Sequence, residues 1–220
     1  MTFSILAQDL NTGAFGAAAA TGSLCVGGWV LRGDSRVGLS ASQGAAPSPM
    51  WGEDVLDRMR AGEDAQAALD AVVGVDRGRE WRQLAALDRR GGTACHTGEQ
   101  NTPWRGSLIA PGLVVSGNLL AGPEVLEALR NTHLNAAGTL AERLLASFAA
   151  AEAAGGDTRG LQSAALLVLS DDAPPLSLRV DWSEEPITAL RNLYMRSQTG
   201  DYAAWLPSVP TRSDPERGYA

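Results

Sequence analysis

Two spacings of apolar residues take turns along the chain. Thr2–Gln8 is apolar with a strand's alternation and stops at Asp9-Leu10-Asn11-Thr12-Gly13, a cluster of turn formers. Residues 14–21 return as a strand of small side chains, which permits close approach of another layer. Residues 29–32 and 37–42 read as a second hairpin turning through Gly33-Asp34-Ser35. The spacing then becomes helical. Pro49–Arg60 carries proline at its start and is closed by Gly62, and residues 63–73 follow as a second helix almost without a linker. Residues 83–87 and 93–96 make a hairpin around Arg89-Arg90-Gly91-Gly92, and 113–116 is a further strand. Helices are expected over 123–132 and 139–154. The second has a broad apolar face of Leu140, Leu144, Leu145 and Phe148 and ends at Gly155-Gly156-Asp157. Ser163–Leu169 is apolar without alternation, as expected of a strand covered on both faces. Leu176–Val180 pairs with it, and 186–196 is the last helix.

Strands and helices therefore come in blocks: four strands, two helices, three strands, two helices, two strands and a helix. That order favours an α+β fold with antiparallel sheets over a doubly wound parallel sheet. Two sheets face to face with helices on both outer sides, a four-layer αββα sandwich, would bury every apolar face named above. At 220 residues the chain fits one domain. We expect that domain over residues 1–196, followed by a tail over 197–220 rich in Pro, Ser and Arg.

Composition narrows the function classes. A net charge of −7 with no block of basic residues argues against nucleic acid or a membrane as partner. No basic, apolar and small-residue leader follows Met1, and charged or glycine residues interrupt every apolar run before a membrane-spanning length. Cys25 and Cys95 are far apart and read as buried free thiols of a reducing compartment, so a cytoplasmic location is expected. The two histidines and two cysteines lack ligand spacing, so neither a metal nor another cofactor is expected. All 18 basic residues are arginine. Mechanisms that need a lysine base or a Schiff-base lysine are excluded.

Five pieces of the chain bear a resemblance: Met1-Thr2-Phe3-Ser4-Ile5, His96-Thr97-Gly98, residues 117–123, residues 155–166 and Arg179-Val180-Asp181. They resemble a bacterial and archaeal family known as domain of unknown function 1028, grouped with the N-terminal-nucleophile hydrolases. The likeness runs from residue 1 to about residue 196 and implies the proteasome-type αββα sandwich; the activity is not supplied by it. A basic residue is expected near position 22, where this chain has Gly22.

In that setting Thr2 is the candidate nucleophile. Met1 precedes a small side chain and is expected to be removed, leaving Thr2 with a free α-amine. A threonine hydroxyl needs a base, and an α-amine of pKa about 7.7–8.0 can serve near neutrality. Proteasome-like enzymes add a lysine, which is absent here, so an arginine such as Arg32 or Arg36 would have to lower the amine's pKa. Met-Thr is also simply a common way for a chain to begin. Gly44, after the fourth strand, would supply an oxyanion N–H, or merely turn the chain. Asn118 would orient the amine or cap a turn, and Asp157 would hold the amine or pair with Arg159. Gln43, His96, Ser116, Gln162 and Ser163 are candidate substrate contacts, with a structural hydrogen-bonded histidine as the alternative for His96. The expectation is a cofactor-free amide-bond hydrolase of a small or peptide-like substrate. A catalytically silent protein that binds a small ligand or a partner on the same fold is the alternative. Six tryptophans, with Trp51, Trp104 and Trp205 placed where a closed core is hard to build, point to a homo-oligomer, a dimer first.

Overall fold

The computed structural model describes residues 2–102, 104–156 and 159–218. Its strands form two antiparallel sheets. The six-stranded sheet has the order β10 (Leu176–Val180), β9 (Ser163–Leu169), β2 (Phe15–Thr21), β1 (Thr2–Gln8), β8 (Leu113–Leu120) and β7 (Trp104–Ala110). The four-stranded sheet has the order β3 (Leu31–Asp34), β4 (Gly38–Gly44), β5 (Arg82–Asp88) and β6 (Thr93–Thr97). Helices α2 (Pro49–Arg60) and α3 (Ala65–Gly74) pack on the smaller sheet. Helices α4 (Glu124–Asn135), α5 (Leu140–Ala153) and α6 (Pro186–Ser197) pack on the larger one. The result is the expected α+β sandwich of two antiparallel sheets between helices.

Alternation along each strand divides its side chains between two cores. Phe3, Ile5 and Ala7 of β1 face α4 and α5, where Phe3 meets the edge of Phe148 at 5.1 Å between ring centroids. Leu6, on the other face, packs between the sheets with Phe15, Ala17, Ala19, Leu39, Ala41, Leu87 and Val114. The alanine run of β2 fits this double burial, because small side chains let layers approach on both sides. Gly16 marks the closest point: a Cβ there would lie 2.8 Å from Leu140 and Leu144 of α5.

Several expectations are corrected. Trp29 closes a one-turn helix α1 (Val26–Trp29), and β3 begins only at Leu31. Trp104 is not in a loop but opens β7, an edge strand whose mostly half-buried residues hide the period from sequence. Trp51 is buried under α2 and α3 with Val55, Leu69 and Leu84. His133 is buried on α4. Cys25 and Cys95 are free thiols but only half-buried. The tail carries a helix α7 (Gly200–Trp205) and a short 3-10 turn, then folds back on its own domain. Ser213 N–H donates to Asp171 O at 3.0 Å, and Arg212 Nε donates to Ser35 Oγ at 3.1 Å. Among the described residues, no helix is long and apolar enough to cross a membrane.

Candidate functional site

One end of the space between the sheets is polar where the rest is apolar. Strand register explains why. Thr2 stands opposite Thr21 on one side and Asn118 on the other, and Thr21 stands opposite Ser163. In the facing sheet Gln43 stands opposite Gln83, and Gln83 opposite Thr97. Cross-strand partners share a face, so these side chains form one layer across both sheets at the strand ends. Next to it lie Ser4 and Ser116, with Ser116 Oγ 2.8 Å from Ser107 Oγ.

The three amides of this layer have orientations fixed by their partners. Gln83 Nε2 donates toward the backbone carbonyls of Gly106 and Gly117, each at 3.0 Å, and toward Thr97 Oγ1 at 2.9 Å. Carbonyls only accept, so that end of Gln83 must be its nitrogen. Gln83 Oε1 then receives Gln43 Nε2 at 2.7 Å and Asn118 Nδ2 at 3.1 Å. Consequently Gln43 Oε1 and Asn118 Oδ1 point onward as bare acceptors, buried and without a partner. Gln43 Nε2 also makes a long 3.5 Å approach to the backbone carbonyl of Thr2. Two unsatisfied acceptors beside one residue are costly, about 1–3 kcal/mol each, unless something donates to them.

Thr2 is 8 % exposed and its Oγ1 donates to Thr21 Oγ1 at 3.1 Å. It opens into a pocket of about 420 Å³. Gln43 and Gly44 form one wall, Leu24, Trp29, Pro47 and Leu119 an apolar one, and Arg159 brings the cationic group. Local backbone places these walls. Leu119 is the extra residue of a bulge between β7 and β8 and has φ 59°, a conformation that non-glycine residues adopt rarely. Cys25, with φ 61°, turns the chain into α1, whose Val26 N–H donates to Ser163 Oγ at 3.1 Å. Gly27 lets α1 lie on the sheet, since a Cβ there would come within 2.8 Å of Ala165 and Arg179. Gly44 has φ 134°, and a Cβ would strike Trp81 O and Arg82 Cα, so only glycine fits.

The structure thus brings together Thr2, Gln43, Gly44 and Asn118. Other candidates lie elsewhere. His96 shares a face with Leu84 on the helix side of its sheet, stacks edge-on to Trp51 at 5.9 Å, and has Nε2 3.1 Å from Arg79 O. Ser116 is one layer deeper than Thr2. Gln162 and Ser163 hold the 22–23 loop through bonds to the carbonyls of Gly22 and Ser23, at 3.0 and 2.7 Å, without lining the pocket. Asp157 lies outside the described residues. Arg32 and Arg36 pair with Glu53 and Asp34, away from the pocket, and Arg159 is the arginine at the site. Gln83, Thr21, Trp29 and Leu119 were missed. A glutamine at a position whose same-face strand neighbours, two and four residues on, are Ala85 and Leu87 was the one available signal for Gln83. Among the described residues no group of His, Cys, Asp and Glu is arranged for a metal ion.

Fold and site together define an αββα two-sheet protein with a pocket at the start of its first strand, lined by a threonine and a buried amide network. The chain belongs to the family of unknown function DUF1028, whose model matches residues 2–190. It is similar to protein SPO2555 from Silicibacter pomeroyi, a member of that family with a crystal structure. The two are 50 % identical with a TM-score of 0.95, over 100 % of this chain and 99 % of the other. No curated protein matches the chain.

Proposed function

We propose that this protein is an amide-bond hydrolase of the N-terminal-nucleophile type, with Thr2 as nucleophile once Met1 is removed. The observation that carries this reading is the position of Thr2. It starts an interior strand, points between the sheets, opens into a pocket of ligand size, and stands opposite an asparagine with a bare acceptor. An α-amine is the donor such an acceptor lacks. Asn118 Oδ1 would accept one of its N–H groups and turn its lone pair toward Oγ1.

The amine takes the proton from Oγ1 as the oxygen attacks the amide carbon, and the oxyanion forms toward the backbone N–H of Gly44. Collapse breaks the C–N bond while the ammonium returns its proton to the leaving nitrogen. Water then cleaves the ester on Thr2, with the amine again as base. Asp157, by the family likeness, would hold the ammonium by a charge-assisted bond.

A small β-lactone, which acylates such a nucleophile, tests this without knowledge of the substrate. We expect one added mass on a peptide beginning at Thr2, retained in Thr2→Ser and absent in Thr2→Ala. A chain that keeps Met1 in its native host would sink the proposal. A second reading, a silent ligand-binding protein, draws support from the hydroxyl of Thr2, already bonded to Thr21, and from the lack of any lysine. Full Met1 removal without acylation would favour it.

A further inference from the structure

The pocket walls carry two different chemistries at once. Leu24, Trp29, Pro47 and Leu119 are an apolar surface, and the Trp29 ring is half exposed where ordinary packing would cover it. Gln43 lines the inner end of the pocket, its carbonyl oxygen buried behind the wall and held in that orientation by Gln83. Arg159 sits at the rim and is exposed. It already has a partner within the fold, and it remains exposed where it lines the pocket. No acidic side chain is among the described residues that line the pocket, although the chain as a whole has a net charge of −7.

We propose that the pocket takes an N-acylated apolar amino acid. Such a molecule carries an amide N–H, an apolar side chain and a carboxylate on one carbon. The side chain and the carboxylate match the Trp29 wall and Arg159, and the amide is the bond that Thr2 would attack. The ligand class rests on the hydrolase reading for its amide; the contacts of the side chain and the carboxylate stand without it. A bare amine or a polycation would meet Arg159 and is disfavoured.

Thr2→Ala protein, which cannot turn the ligand over, is titrated calorimetrically with N-acetyl-L-phenylalanine, with its carboxamide and with N-acetylglycine. The first should bind about tenfold or more tightly than either of the others, the scale of one charge-assisted contact or one buried ring. Arg159→Gln should bring the acid down to the level of the carboxamide, and Arg159→Lys should restore part of the difference. Trp29→Ala should erase the preference over N-acetylglycine. Because Arg159 is exposed and Trp29 half exposed, unchanged circular dichroism is expected for each variant. Equal binding of acid and carboxamide, an unchanged ratio in Arg159→Gln, or no binding of the acid at millimolar concentration would each overturn the assignment. These readouts need no catalysis, so selective binding by a chain that is never acylated would remove the hydrolase reading and leave this one.

Discussion

Gln83 is the residue on which the site's geometry hangs, although it does not line the pocket. It satisfies two backbone carbonyls and two side-chain amides at once. Gln83→Leu removes these bonds from buried groups, so we expect a loss of about 3 kcal/mol in urea unfolding. Gln43 and Asn118 would also lose their fixed orientation, and ligand binding should weaken even where the variant is folded. His133 belongs to a different part of the molecule. Burial first, and the charge of Arg143 second, push its pKa from 6.5 down to about 4, with Asp9 opposing. Arg143 in turn donates to Asp9 across the helix–sheet contact. A histidine whose folded pKa is depressed stabilises the fold fully above 6.5, and that stabilisation is lost as pH falls from 6.5 through 4. We expect about 3 kcal/mol of acid destabilisation from this one group. In His133→Leu that part of the pH slope should vanish when unfolding is followed from pH 8 to 4.

At the scale of elements, caps and close contacts set the boundaries. Thr139 and Glu142 form a reciprocal capping box at the start of α5, with Thr139 N–H donating to Glu142 Oε2 at 2.7 Å. Thr139→Ala should cost about 1 kcal/mol and lower Tm by about 3 °C in calorimetry. The one-turn α1 depends on Gly27 instead. Gly27→Ala has to displace either Ala165 or Arg179, at an expected cost of about 1–3 kcal/mol. Since Trp29 closes that helix, the same substitution should weaken binding of an apolar ligand more than Thr139→Ala does. Helices α2, α3, α4 and α5 were readable from their periods because one face of each is buried. Strand β7 was not, because an edge strand half open to solvent has no apolar face to reveal it. Residues 26–29 were read in part as a strand, since a single helical turn is too short to show a period.

For the whole molecule, the tail and the surface tryptophans matter most. The tail's last described segment is tied to the β9–β10 turn and to the β3–β4 turn through Ser213, Arg212, Asp171 and Ser35. These contacts are exposed, and such pairs contribute little individually. Trp205 stacks on Tyr202 at 5.8 Å and stays half exposed, while Trp104 and Ile109 are exposed along the edge strand β7. We propose that these surfaces are covered by a second copy of the chain, since large apolar side chains exposed on a strand edge and on the tail invite association. Light scattering at micromolar concentration should give about twice the mass of one chain. A single-chain mass would remove the dimer. Removal of residues 197–220 is expected to reduce that association; unchanged assembly and stability would take the tail out of it.

What the sequence by itself determined is what local periodicity and chemistry encode. The order of blocks along the chain implied two antiparallel sheets between helices, because each apolar face needs a partner and only that layering covers all of them. The family resemblance singled out Thr2, Gly44 and Asn118, with Gln43 beside Gly44 as a candidate substrate contact. Only the tertiary structure decided which polar residues meet. Thr2, Asn118, Gln43 and Gln83 come from four strands in two sheets and converge through register and sheet stacking, distances that no single segment specifies. The same holds for Arg159, set at the pocket by a loop after α5, and for His96, turned to the helix side by its place in the alternation of β6. Register by one residue decides which face a side chain takes, and register is fixed by partners far away in the chain.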